Sequence, residues 1–125
     1  MRKKKVLVVD DSPTQLKLMS DPLMSRGYTI VTAMDGVEAL EMVASEKPDL
    51  VVLDVIMPNK NGFQVCRDIK ISPLYNHIKV ILISSKDQES DKFWGERQGA
   101  DLYITKPFTD EELVSGVARL LGENE

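Results

Sequence analysis

Three short apolar runs in this chain each end on a polar, chemically active side chain. Val6 to Val9 runs into Asp10 and Asp11, Leu50 to Leu53 into Asp54, and Val80 to Ile83 into Ser84 and Ser85. Continuous apolar runs of this length read as strands buried on both faces, which occur in parallel sheets covered by helices. In open sheets of that kind the carboxyl ends of the strands form the edge where ligands bind. Asp10, Asp11 and Asp54 are therefore expected to share one pocket. Crowded carboxylates repel one another and raise one another's pKa, so the cluster calls for a divalent cation, a basic partner, or both.

Helix-start signals follow the strands at regular intervals. Ser12 and Gln15, Asp35 and Glu38, and Thr109 and Glu112 have the spacing of a capping box, in which the N-cap and N3 residues satisfy each other's backbone donors. Pro13 suits the first helical position and Gly27 a helix stop, which brackets a first helix from Pro13 to Arg26. Leu16, Met19, Leu23 and Met24 recur on it at helical spacing and are expected to pack on the sheet. The same signals predict a strand over 29–33, a helix over 36–47 closed by Pro48, a strand over 50–54, and a helix over 62–71 broken by Pro73. Phe63, Val65, Cys66 and Ile69 supply the apolar side of that third helix. A strand over 79–84, a helix over 87–98, a strand over 101–104 and a helix over 110–121 complete five βα units. Such alternation implies a doubly wound α/β sandwich with right-handed crossovers.

The 125 residues suit a single domain, 1–125, and leave no room for an output domain after Leu121. No apolar stretch approaches the roughly 20 residues of a membrane helix, and the start lacks the apolar run of a signal peptide, so a cytoplasmic protein without membrane insertion is expected. A lone Cys66 precludes an internal disulfide, and a lone His77 with it precludes a Cys/His zinc centre. Any metal must then be held by oxygen. The net charge of −4 argues against broad nucleic-acid affinity, and the basic run Arg2 to Lys5 reads as a solvated lead-in to the first strand. Cys66 reads as a core residue and His77 as a loop residue, while adjacent Phe93 and Trp94 cannot both face the core.

Four motifs at strand ends, in order, carry a specific resemblance. They are Val8-Val9-Asp10-Asp11-Ser12, Leu53-Asp54 with Pro58 and Gly62, Ile83-Ser84-Ser85, and Tyr103 to Phe108 with Lys106 and Pro107. Together they resemble response-regulator receiver domains of the chemotaxis-protein type over essentially the whole chain. The resemblance implies a flavodoxin-like five-stranded parallel sheet of order 2-1-3-4-5. It implies that Asp54 is the phosphoacceptor, and that Mg²⁺ is held by Asp10, Asp11, Asp54 and the backbone carbonyl of Ile56. It makes Lys106 the cation that reaches the phosphoryl group or the Asp54 carboxylate, and it implies a cis bond before Pro107. Ser84 and Tyr103 fall at the switch positions, where a hydroxyl binds the phosphoryl group and an aromatic ring follows it. Ile56 and Lys86 fall at the two positions that modulate phosphoryl lifetime.

The segment from Ser84 to Ala100 is similar to single-domain receivers of type IV pilus twitching-motility and phototaxis systems. That implies a chemotaxis-type histidine kinase as phosphodonor, a protein target on the face of the fourth helix, last strand and last helix, no DNA output, and a monomer or a weak phosphorylation-dependent dimer. A phosphate sink in a branched relay is an alternative role for the same chemistry. A phosphohydrolase working through an aspartyl phosphate would place a second acid two residues after the nucleophile, where this chain has Ile56, so a turnover enzyme is not expected. A flavin-binding relative would need a Ser, Thr and Gly-rich phosphate loop where this chain has Asp10 and Asp11.

Overall fold

The computed structural model describes residues 3–123. Its elements are β1 (Lys5–Val9), α1 (Pro13–Ser25), β2 (Thr29–Ala33), α2 (Gly36–Glu46), β3 (Leu50–Asp54), α3 (Gly62–Ile71), β4 (Lys79–Ser84), α4 (Glu89–Arg97), β5 (Leu102–Thr105) and α5 (Asp110–Leu120). All neighbouring strands pair in parallel in the order β2-β1-β3-β4-β5.

Alternation along the strands divides the interior into two cores. Val6, Val8, Leu50, Val52, Ile81 and Ile83 point to one face, where Leu16, Met19 and Leu23 of α1 and Leu113, Val114 and Val117 of α5 cover them. Leu7, Val9, Val51, Leu53, Val80 and Leu82 point to the other, under Ala39 and Val43 of α2 and Val65, Cys66 and Ile69 of α3. The same alternation positions the site. Asp10, Asp54 and Lys106 each lie two residues beyond a first-core residue, Val8, Val52 and Ile104, whereas Ser84 lies two beyond Leu82 of the second core.

Several local expectations are corrected. Met24 is exposed, since only Leu16, Met19, Ser20 and Leu23 of α1 turn inward. Pro22 lies inside α1 and offers no N–H to the Leu18 carbonyl, on the solvent side of the helix. Helix α4 starts at Glu89 rather than Asp87, and β5 is shifted one residue to Leu102–Thr105. In keeping with the expectation that Phe93 and Trp94 cannot both face the core, neither does: they are exposed at 59% and 53%, and the Arg97 guanidinium lies 5.9 Å from the Phe93 ring centre. Lys5 is not part of a solvated lead-in. It belongs to β1 and pairs with Glu46 at 3.2 Å, while Lys3 is exposed and Arg2 lies outside the described residues.

Of the three expected capping boxes only Thr109 with Glu112 is complete. Asn61 with Gln64 forms a further one, at the start of α3. Cys66 is fully buried, its thiol pushed up to about 12 chiefly by burial, so no thiolate is present at neutral pH. His77 is exposed.

Candidate functional site

Each strand end delivers one component of the site, and backbone hydrogen bonds fix them. The Asp10 N–H donates to the Ala33 carbonyl at 3.2 Å, the Val55 N–H to Ile83 at 3.0 Å, and the Lys106 N–H to Ser84 at 2.9 Å. The loops leaving β1, β3 and β5 are thus continuations of the sheet. The Lys106–Pro107 bond is cis. The ammonium of Lys106 stands 3.3 Å from Asp54 Oδ1 and 3.5 Å from Asp10 Oδ2.

Asp10 also explains why the first capping box is incomplete. Its Oδ1 accepts the Ser12 N–H at 2.9 Å, the donor that Gln15 was expected to satisfy, while Ser12 still caps Gln15. At the second, Glu38 accepts from Met34 N–H instead of Asp35. With Oδ1 committed, the buried Oδ2 of Asp10 has no hydrogen-bond partner, only the nearby ammonium. Asp10, Asp11 and Asp54 offer carboxylate oxygens within 4.8 Å of one another, with Asp11 exposed and the other two buried. A buried oxygen lacking a donor, among three acids and one cation, fits a hard divalent cation such as Mg²⁺, which takes carboxylate oxygens and retains waters.

Burial raises the pKa of Asp54 above its ordinary 3.8; Asp10 and, more weakly, Asp11 add to the rise, and Lys106 opposes it. The folded state therefore favours the protonated carboxyl. That contribution to stability is complete below the unfolded value and is lost as pH rises through the folded one. At neutral pH the ionised carboxylate is a burden on the fold. Asp54→Asn is expected to raise stability at pH 7 by about 1 kcal/mol, a few degrees in Tm, with the gain vanishing near pH 4. Added Mg²⁺ should raise the wild-type Tm more than that of the variant. A variant Tm at pH 7 equal to or below that of the wild type would contradict this account.

Ser84 and Tyr103 meet at the backbone of Lys86. The Ser84 Oγ accepts the Lys86 N–H at 3.0 Å, and the Tyr103 hydroxyl donates to the Lys86 carbonyl at 2.8 Å. Burial raises the Tyr103 phenol above its usual 10.0, so it stays a donor at neutral pH. The Lys86 side chain is exposed, as is Ile56 at 56%. Lys86 thus takes part through its backbone, whereas its side chain is what marks the position in the sequence. Nothing in a lysine signals that its amide will join two other residues. Beside Lys106, a cleft lined by Gln15, Leu18, Ser85, Pro107, Phe108 and Asp110 opens to solvent.

Comparison with known proteins agrees with this architecture. The chain is 39% identical over 117 residues to Protein PilH of Pseudomonas aeruginosa, covering 94% of this chain and 97% of that one. It is 41% identical over 122 residues to the alkaline phosphatase synthesis transcriptional regulatory protein PhoP of Bacillus subtilis, covering 98% of this chain but only 50% of PhoP. A putative response regulator from Chloroflexus aurantiacus superposes with a TM-score of 0.92 at 30% identity, covering 98% of this chain and 100% of that one. The family model of the response regulator receiver domain matches residues 6–118, which take in all five strands except Lys5 at the start of β1, and the whole of the acid and lysine cluster. The chain therefore belongs to the response regulator receiver domain family.

Proposed function

We propose that Asp54 is the residue that accepts the phosphoryl group, from a chemotaxis-type histidine kinase, and that the phosphorylated protein signals by binding a protein target in pilus motility or taxis. The observation that carries this reading is the carboxylate of Asp54, held buried at a strand end with the Lys106 ammonium 3.3 Å from Oδ1. An Asp54 oxygen attacks phosphorus, the bond to the donor breaks, and its electron pair leaves with the donor. Negative charge spreads over the equatorial phosphoryl oxygens, and the Lys106 ammonium is placed to meet it. Asp10, Asp11, Asp54 and the Ile56 carbonyl would hold Mg²⁺, which when bound supplies further positive charge to those oxygens.

Support for a motility role comes from the Ser84 to Ala100 segment and from the likeness to PilH, a relative matched over 97% of its own length. The proposed target face comprises α4, β5 and α5, which joins the Tyr103 ring to exposed Phe93 and Trp94.

Incubation with acetyl phosphate and Mg²⁺, or with a phosphorylated chemotaxis-type kinase, tests the reading. Intact-mass analysis should show one phosphoryl group per chain, absent from Asp54→Ala. Catalytic turnover of a phosphomonoester, or label that survives in Asp54→Ala, would overturn it.

Ile56 bears on how long the phosphoryl group lasts. Its side chain is exposed and apolar, so it cannot orient an attacking water. Ile56→Asn is expected to shorten the phosphoryl half-life about tenfold, less than the 10²–10⁴ of a full general base. An unchanged half-life in a decay assay would remove Ile56 from this role.

A further inference from the structure

Helix α4 is the most weakly anchored helix of the fold, because Gly95 is the only buried residue in its nine. The helix therefore meets the sheet through a residue with no side chain. A β-carbon at Gly95 would lie 3.0 Å from Tyr103 Cδ2, 3.3 Å from Leu82 Cδ1 and 3.5 Å from Tyr103 Cε2. Leu82 is fully buried in a central strand and cannot yield. Tyr103 is half-buried on the edge strand β5, and its ring can swing away.

Besides its packing on the second core, two contacts fix that ring: the bare backbone of Gly95 at its edge, and the Lys86 carbonyl at its hydroxyl. Glycine within a helix costs about 1 kcal/mol relative to alanine. Gly95 is not among the positive-φ residues, so backbone conformation gives no reason for it. The space it leaves does.

We infer that Gly95 is a positioning residue for Tyr103, seating the ring against α4 so that the hydroxyl reaches the Lys86 carbonyl and the ring can answer events at Ser84. This rests on the reading of Ser84 and Tyr103 as the switch that follows phosphorylation. If the phosphorylated state favours the seated ring, linkage requires that unseating the ring weaken binding of a phosphoryl analogue by the same factor. Alanine at 95 would favour the helix and disfavour the seat. Its effect on the switch should therefore run opposite to its effect on helix stability.

The test uses beryllofluoride with Mg²⁺ as phosphoryl analogue and fluorotyrosine labelling, the three tyrosine resonances being assigned with Tyr103→Phe. In the wild type, the Tyr103 resonance is expected to move on saturation. In Gly95→Ala the free protein's Tyr103 resonance should be displaced, and the apparent Kd for beryllofluoride should rise about fivefold, at the lower end of typical coupling. In a Tyr103→Ala background, where there is no ring to seat, Gly95→Ala should leave Kd unchanged. An unaltered resonance in Gly95→Ala, or the same loss of affinity with and without the ring, overturns the inference while leaving the switch reading intact. A wild-type Tyr103 resonance that ignores beryllofluoride, with Kd unchanged in Tyr103→Ala, overturns both.

Discussion

Lys106→Ala is expected to take up phosphoryl groups from acetyl phosphate about 10²–10³-fold more slowly than the wild type. Among the described residues, the ion pairs of the buried acids Asp10 and Asp54 both run to this one ammonium. It opposes the rise in the Asp54 pKa that burial and Asp10 cause, so its removal leaves less nucleophilic carboxylate as well as less compensation for phosphoryl charge. The expected factor is that of losing one preorganised donor aimed at developing charge. Stability should move separately. Removing one member of a largely buried pair leaves a charge unpaired, so Tm should fall, and Mg²⁺ should restore it by neutralising the same acids. The phosphorylation rate should stay low when Tm has recovered. Intact-mass time courses beside melting curves distinguish the two effects, and a rate within threefold of wild type at saturating Mg²⁺ would exclude Lys106 from the transfer step.

Asp10 and Asp54 are legible from the strands themselves, because once Val8 and Val52 point to one face the two acids must follow them at the sheet edge. Lys106 is legible only through the family resemblance, since it lies beyond a strand that the sequence signals place over 101–104. Capping was less legible, because it depends on which of several acceptors lies nearest a given N–H. Spacing assigned the Ser12 amide to Gln15, but the turn after β1 brings the Asp10 carboxylate to it instead. That exchange joins local structure to function, since it commits one oxygen of Asp10 to the backbone and leaves the other facing the site. Helix α4 was hard to bound for a different reason. It buries almost nothing, so its sequence has no apolar stripe to mark a face or an end, and both of its large aromatic residues are exposed. The roles of the Lys86 backbone and the Gly95 surface depend on contacts between elements that no local pattern encodes.

Gly62→Ala is expected to destabilise the protein by roughly 3 kcal/mol, on the order of 10 °C in Tm for a domain of this size, and to depress phosphoryl uptake with it. A β-carbon there would fall 2.4 Å from the Asp54 carbonyl oxygen and 2.8 Å from Val55 Cα. These are backbone atoms of the strand end that carries the proposed phosphoacceptor, so no side-chain rotation relieves the clash. Either α3 or the end of β3 must move. The start of α3 is fixed by the Asn61 and Gln64 capping box and by the Gly62 N–H, which donates to the Val55 carbonyl at 2.8 Å. Strand β3 is buried throughout between β1 and β4. Because both sides resist, displacement should be shared, moving Asp54 relative to Lys106 and Asp10 and lowering the apparent affinity for Mg²⁺. Gly27→Ala is the control. Gly27 has a φ of +93° and nothing within 4 Å of an added β-carbon, so the substitution should cost about 1 kcal/mol through backbone strain alone and leave phosphorylation at the wild-type rate. Urea unfolding and acetyl phosphate time courses on both variants separate a strained backbone from a displaced site. If Gly62→Ala proved no costlier than Gly27→Ala and took up phosphoryl groups at full rate, the close approach of α3 to the end of β3 would not be what holds Asp54 in place.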